Sequence, residues 1–480
     1  MEAGIKGMWW SYPAIEALLA ELGIDDALTD WSTSGFWAPR PAPPHLAADP
    51  ARPVIGELIN RAPVFNRLPR LPTPLGQMVW TADAFATLSL ADRLSVVGIV
   101  AALADVKSSP ARYAAMDKMT ARELFKRLGV TEAVYRDFLA PTLQVALFAP
   151  PEQLSAAETL ACLDFYALAH QQSFDVRWCR GSVAERVLAP LVARIGGAGG
   201  SFKWGHAVER VDTDGDRAVG VVARDRATGA ATRLDVDAVV MAVGIKGMKA
   251  IVAASPGLAA RDEFRATASL RTIDCLSARL WFDAPTPTRF PANVLAGFDG
   301  PDVGATFFNL NAIQDDYRPG GASSHEGCVA CDWYGAADLL PLSDAAIVDR
   351  ALANLRACEP GFRYRTLIDA AVARAPGAVT HFSPGSLSAR PRQTTSFANV
   401  FIAGDYVRDA PTVADGLSQE RAYVTGLAAA GLACEAAGVG SAPVIPAPEP
   451  DEPHIALAKR TARAVRGAAE RWGLRGVGLP

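Results

Sequence analysis

Asn399-Val-Phe-Ile-Ala-Gly-Asp-Tyr-Val-Arg-Asp409, continued by Ala410-Pro-Thr-Val-Ala-Asp-Gly-Leu-Ser-Gln-Glu-Arg-Ala-Tyr-Val-Thr-Gly-Leu-Ala-Ala-Ala430, decides how the rest of the chain is read. Val400 to Ala403 is a short apolar run with β-branched members, long enough for one buried strand. It stops at Gly404-Asp405, where a glycine lets backbone approach a ligand and a carboxylate accepts hydroxyl hydrogen bonds. A loop containing Pro411 and Gly416 follows. From Ser418 to Ala430, Ala and Leu dominate without proline, which predicts a helix. Strand, Gly-acid step, loop and helix N-terminus together make a place to hold a polar cofactor. An ordinary strand–loop–helix joint carries the same pattern.

The bulk properties narrow the alternatives. With 480 residues, the length suits two or three domains and a sizeable core. Hydrophobic residues make up 50% and charged ones 20%, a globular balance. A net charge of −4 gives no basic footprint for nucleic acid. The 7 cysteines are scattered and odd in number, which does not describe a secreted disulfide framework. Only Cys328 and Cys331 have metal-like spacing, and without a second pair they read as core packing, so no metal is expected. No run reaches the ~18 uncharged apolar residues of a membrane span. The closest, Leu88 to Val106, contains Asp92, Arg93 and Asp105. No apolar core of a signal peptide follows Glu2 and Lys6.

Along the chain, Glu2 to Pro13 is rich in Gly and aromatics, and Ala14 to Leu22 reads as a helix stopped by Gly23. Prolines between Pro41 and Pro74 predict a surface loop with short strands. Leu88 to Val106 reads as a helix, and Thr120-Ala-Arg-Glu123 as a capping box opening one to about Leu128. Thr131 to Leu139, stopped by Pro141, and Ser155 to Ala169 are further helices. After Arg177 the pattern alternates. Ala207 to Val211, a turn at Asp214-Gly215, and Ala218 to Arg224 form a meander, and Asp237 to Gly244 is a buried strand. Ser269 to Phe282, Ala305 to Asn309 and Gly327 to Tyr334 predict an antiparallel sheet, and Ser343 to Ala357 a helix. Beyond Gly440, Ala442 to Pro453 is a Pro-rich acidic linker, extended and poorly ordered. A basic amphipathic helix follows, read as a solvated surface helix, with contact to anionic lipid as the alternative.

Asn399 to Asp405 resembles the last FAD-contacting segment of the flavin amine oxidase and phytoene desaturase superfamily. Glu420-Arg421-Ala422 stands where many members carry Glu-Gly-Ala. Ser418 to Ala422 with Tyr423-Val-Thr-Gly426 is similar to the plant-type carotenoid desaturases, including the desaturase/methyltransferases of aromatic carotenoids. The resemblance implies an α/β fold: a Rossmann-like FAD-binding domain with an inserted α+β substrate domain made of a helical region and an antiparallel sheet. It divides the chain into a cofactor-domain remnant at 1–40, a mainly helical substrate region at 41–177, cofactor domain at 178–250, and substrate sheet at 251–379. Cofactor domain returns at 380–440, before the 441–453 linker and the 454–480 helix. FAD is the implied cofactor, held by Ala403, Gly404, Asp405, Gly416, Glu420 and Ala422, with Val208 meeting the adenine through its backbone. The family's preceding strand, G-x-G-x-x-G turn and helix do not occur in this sequence. Gly196 to Gly200 and Gly438 to Gly440 lack the flanking elements and read as turns. The expectation is either a truncated reading of the gene or a chain that holds FAD with half a site.

The implied chemistry is desaturation of a carotenoid or similar polyene, with hydride passing to flavin N5 and electrons leaving to a quinone. Such a reaction asks mainly for a dry, apolar channel. The sequence accordingly shows no Ser-His-Asp set, phosphate loop or carboxylate pair, and catalytic residues stay unassigned. By analogy the protein would lie at the periphery of a plastid or cyanobacterial-type membrane. Two rivals remain. A flavin amine oxidase would use a lysine near N5, for which Lys203 and Lys246 are available. A non-catalytic carotenoid-binding or scaffold protein would suit the missing fingerprint. His381 either faces the flavin or is a hydrogen-bonded structural histidine.

Overall fold

A computed structural model of the chain describes residues 2, 4–41, 54–84, 87–318, 320–323, 326–409, 416–440 and 442–472. Parts of two expected loops, 42–53 and 410–415, and the end of the basic helix, 473–480, lie outside the described residues. The strands are β1 (Gly7–Trp9), β2 (Ser34–Pro41), β3 (Val54–Arg61), β4 (Val176–Trp178), β5 (His206–Asp214), β6 (Arg217–Asp225) and β7 (Ala231–Asp235). They continue with β8 (Val239–Met241), β9 (Arg271–Phe282), β10 (Ala292–Leu295), β11 (Gly304–Asn309), β12 (Gly327–Tyr334), β13 (Leu367–His381) and β14 (Val400–Ile402).

Alternation along β9, β11 and β12 builds the expected sheet, which is larger and more mixed than the sequence suggests. Its order is β13-β9-β12-β11-β10-β2-β3. All pairs are antiparallel except β10 with β2, which run parallel. β2 therefore belongs to this sheet, although residues 34–40 were expected in the cofactor region. Phe36 and Trp37 explain the difference, since both are buried against sheet partners rather than against the cofactor strands. One face of the sheet packs on the Asp344–Cys358 helix through Leu280, Phe307, Trp333, Ile347 and Leu355. Cys328 and Cys331 point to opposite faces of β12, as residues three apart on a strand must, and fall in different clusters. That geometry cannot chelate one ion.

The helical block forms where expected but is not stopped by its prolines. Thr120 Oγ1 accepts from the Glu123 amide and opens Ala121–Arg127. Leu88 to Val106 divides into Leu90–Leu94 and Val97–Val106, with Ser89 capping the first. Pro141 was expected to end a helix, yet Ala140–Ala146 runs through it. The turn just before it, Tyr135–Leu139, is a π-turn, and widening there makes room for the ring and its missing N–H. Pro190 follows the π-turn Ala184–Leu188 in the same way.

The half expected to hold the cofactor is a small parallel pair, β8 with β14, beside the three-stranded β5-β6-β7 meander. Asn399 ties the two together. Its Oδ1 accepts from the Ala218 amide, and its Nδ2 donates to the Ala218 and Asp237 carbonyls, each at 2.8 Å. The strand expected to be buried over 237–244 is confined to β8, and Val240 is 39% exposed. Among the described residues this sheet has two strands, which leaves one side of β8 uncovered.

The segment expected as a loose linker and solvated helix is docked instead. Pro453–Arg471 lies against the Val97–Val106 helix, and Lys459 and Arg466 are spent on internal ion pairs with Asp164 and Asp105. Partner carboxylates on the body compete successfully with water for these cations.

Arg390 and Glu158 form a fully buried ion pair that joins the helical block to the cofactor half. Removing one partner of such a pair strands the other charge in the interior, at a cost of about 3–5 kcal/mol. Glu158→Gln is expected to lower unfolding stability by that amount in urea titration. A loss under about 1 kcal/mol would show that the pair does not join the halves.

Candidate cofactor and substrate site

Just past β14, the Ala403 amide donates to the Met241 carbonyl at 3.2 Å, keeping it in register with β8. Gly404 then takes φ +139°, a value that side chains resist. Its amide donates to Thr425 Oγ1 at 2.9 Å. A Cβ here would lie 2.9 Å from the Tyr406 ring, so the space the glycine leaves is filled from within the chain. Tyr406 is fixed by donating to the Val243 carbonyl at 2.7 Å.

Asp405 stands at the strand tip and accepts from Thr380 Oγ1 at 3.0 Å. Burial pushes its carboxyl above the ordinary range, and Thr380, Arg421 and Arg390 only partly oppose that. Arg390 Nε and Nη2 donate to the Tyr406 and Val407 carbonyls at 2.9 and 3.3 Å, with the guanidinium 4.9 Å over the Phe382 ring. Arg421 Nη2 also donates to the Val407 carbonyl, at 2.5 Å.

The remaining expected residues divide. Gly416 is buried with φ +78°, and a Cβ there would meet Leu147 at 2.8 Å. Glu420 is buried and uses both carboxylate oxygens to accept the Ala14 and Ile15 amides at 2.8 and 2.9 Å. It thus caps the Pro13–Leu22 helix from outside, supplying the acceptor that Tyr12 does not. Ala422 is exposed, and so is Val208 on the edge strand β5. Ala403, Gly404 and Asp405 therefore lie together, with Glu420 on the following helix and Val208 on a separate sheet. His381 is structural: its ring Nε2 lies 3.0 Å from the Gln153 carbonyl, and burial lowers its pKa. Lys203 and Lys246 are both exposed.

The helical block also holds an apolar chamber of about 410 Å³. Met78, Val97, Val100, Phe138, Leu163 and Phe174 are among its walls. Aromatic contacts lead from it toward the cofactor side. Phe174 packs edge-on to Trp9 at 5.8 Å, and Trp9 to Tyr166 at 5.2 Å. The Tyr166 and Tyr12 hydroxyls are 2.8 Å apart, and Tyr166 donates to the Leu417 carbonyl at 3.5 Å. Leu417 immediately precedes Ser418, the N-cap of the Gln419–Ala437 helix.

This aromatic row went unassigned from sequence, as did Thr380, Arg390 and Glu158. The only signal was the density of aromatics at Trp9, Trp10 and Tyr12. Tyr12 and Tyr166 lie 154 positions apart and Arg390 and Glu158 232, and partners so distant leave no local trace.

The donor set suits a flavin nucleotide at the strand tip: a carboxyl for hydroxyl groups, and a capped helix N-terminus nearby. It suits it less at Gly404, where Tyr406 fills the approach. The chain's likenesses run the same way. Residues 1–434 match the description flavin containing amine oxidoreductase. A carotenoid phi-ring synthase from Streptomyces griseus is 29% identical over 387 residues, 78% of this chain and 69% of that protein. A 15-cis-phytoene desaturase from an Oncidium hybrid cultivar is 22% identical over 413 residues, 85% of this chain. The chain spans 65% of that desaturase's length. Among solved structures, cyclohexylamine oxidase from Brevibacterium oxydans aligns with a TM-score of 0.57 at 15% identity, covering 90% of this chain and 87% of its own. Putrescine oxidase aligns at 0.55 and 12%, covering 97% and 88%. At such identities these two establish the fold alone. No helix among the described residues is long and apolar enough to cross a membrane, and no cluster of three metal-ligating side chains occurs among them.

Glu420 gives this region a pH signature. Burial pushes its carboxyl up to about 7, against the two amide bonds that favour the charged form. A carboxyl whose pKa rises on folding holds its proton more tightly in the folded state. Stability is then greatest below the ordinary value near 4.5 and declines as pH climbs through about 7. Asp175, raised by burial to about 6, acts in the same direction. Denaturant titrations between about pH 5 and 7.5 are expected to show falling stability, by up to about 3 kcal/mol from Glu420. Glu420→Gln should flatten the slope, and an unchanged slope would remove Glu420 as its source.

Proposed function

Because the chain belongs to the flavin containing amine oxidoreductase family and FAD is its cofactor, we propose that it oxidises a carotenoid or similar apolar polyene. The observation that carries this reading is the apolar chamber, walled by aliphatic and aromatic side chains and joined by an aromatic row to the helix after Asp405. A polyene has no polar handle, so shape and exclusion of water are the recognition available to it. The names of the desaturase and ring-synthase relatives favour the same substrate class.

In the proposed reaction two C–H bonds on adjacent carbons break, one as hydride and one as proton, and a C=C bond forms between them. FAD supplies the hydride acceptor, and a quinone is the proposed electron sink. Asp405 would bond the ribityl hydroxyls at the tip of β14, beside Ala403 and Gly404. Gly416, Glu420 and Ala422 would border the flavin from the following loop and helix, and the Val208 backbone would meet the adenine. Trp9, Tyr12 and Tyr166 would keep the passage between cofactor and chamber dry. Leu75, Val79, Leu90 and Leu94, exposed on helices around the chamber, favour contact with a lipid surface as the route of entry.

A second reading, polyene binding without redox chemistry, is favoured by the Tyr406 ring over Gly404. Anaerobic titration of the FAD-supplemented protein with phytoene or ζ-carotene separates the two. Loss of flavin absorption near about 450 nm is expected. Asp405→Ala should weaken FAD binding about 10- to 100-fold through loss of charge-assisted bonds. Polyene binding with no flavin bleaching would replace the oxidase reading by the second, and bleaching by putrescine instead would return the amine oxidase.

A further inference from the structure

The acidic stretch and basic helix at the C-terminal end run along the outside of the helical block. Glu449 pairs with Arg70 at 3.2 Å. Glu452 Oε2 accepts the Thr73 amide at 3.1 Å, and His454 Nε2 lies 2.6 Å from the Thr73 carbonyl. Further on, Lys459 Nζ bridges Asp164 and Asp451, at 2.9 Å to each. Arg466 Nη2 reaches Asp105 Oδ2 at 2.7 Å, and Arg112 Nε meets the same oxygen at 2.8 Å. The Arg466 and Asp105 side chains are only 13% and 11% exposed, so water and salt screen their pair less than a surface one.

These anchors fall on two different elements that wall the apolar chamber. Thr73 directly precedes Pro74 and the Leu75–Trp80 helix, and Pro74, Gln77 and Met78 line the chamber. Asp105 ends the Val97–Val106 helix, whose Val97, Ile99 and Val100 line it from another side. Among the described residues, none of the C-terminal segment lines the chamber itself. The first wall has little else to hold it. Leu75–Trp80 buries only Gly76, and its place depends on polar anchors such as Gln77 Nε2, which donates to the Ala167 and His170 carbonyls at 3.2 and 3.0 Å.

We propose that residues 449–466 form an electrostatic clasp that sets the spacing of these two walls, with Glu452 and Arg466 as positioning residues for an apolar ligand. The inference rests on the chamber being the polyene site. The clasp's own signs fit the body it grips: its acidic part meets Arg70 and the Thr73 amide, and its basic part meets Asp164 and Asp105. Because Arg70, which meets Glu449 and Glu452 at the first wall, is half-exposed, salt screens that end of the clasp, and ligand affinity becomes a function of ionic strength although the ligand is uncharged.

The test uses the full chain and all-trans-retinol, a short fluorescent polyene. Arg466→Gln and Glu452→Gln are each expected to weaken retinol binding about five- to tenfold, while Arg466→Lys stays within about twofold of wild type. Wild-type affinity should fall between about 0.05 and 0.5 M NaCl, and the two glutamine variants should lose that dependence. Two variants are used so that a folding defect in one does not decide the matter, and melting curves accompany both. Unchanged affinity and salt dependence in Arg466→Gln and Glu452→Gln, with binding abolished by a chamber-filling Val100→Trp, would overturn the clasp alone. Retinol binding that survives Val100→Trp would instead sink the chamber reading, and the clasp with it.

Discussion

The guanidinium of Arg390, wholly inside the protein, is the constraint on which the arrangement depends. A buried charge is tolerated only when paired and hydrogen-bonded, and Arg390 meets both demands with groups from different parts of the chain. Glu158 belongs to the Ala156–Leu163 helix and also accepts the Tyr113 hydroxyl at 2.9 Å. The Tyr406 and Val407 carbonyls belong to the turn after β14. Helical block and cofactor strand are thus locked through one side chain, because pulling them apart would leave charge and carbonyls unpaired in a low-dielectric interior.

This lock places the Asp405 carboxyl among fixed dipoles rather than on a free loop. Gly404, Thr425 and Tyr406 hold the backbone on one side, and Thr380 reaches across from β13 on the other. Glu420 performs a similar service one element later by capping the Pro13–Leu22 helix. A residue expected to face a cofactor thus also fixes the segment carrying Trp9 and Tyr12. Both Glu420 oxygens are already occupied by backbone donors.

The chamber is built on the opposite plan. Its inner walls, Phe138, Leu139 and Leu163, belong to the packed core, but its outer walls are short helices with exposed Leu75, Val79 and Leu90. Under the proposed polyene reading, the tied strand side would hold the cofactor and the thinly supported side would admit the ligand. Beside the Leu75–Trp80 wall, Glu452 and His454 hydrogen-bond the Thr73 backbone.

Much of this was written locally in the chain. Alternation over β9, β11 and β12, the cap at Thr120, the run Val400 to Ala403 and the Gly404-Asp405 step depend on neighbours a few residues apart, and each appears where the pattern puts it. The passage of helix through Pro141, the membership of β2 in the large sheet, the docking of the basic helix and the capping role of Glu420 do not. Each is settled by a partner distant in sequence: an accommodating π-turn within a packed block, the β10 edge, the Asp105 and Asp164 carboxylates, and the bare amides of Ala14 and Ile15. Local order follows from backbone preference and periodicity. Which buried donor meets which acceptor follows only from three-dimensional closure, because every interior charge and amide must be satisfied by whatever the fold brings beside it.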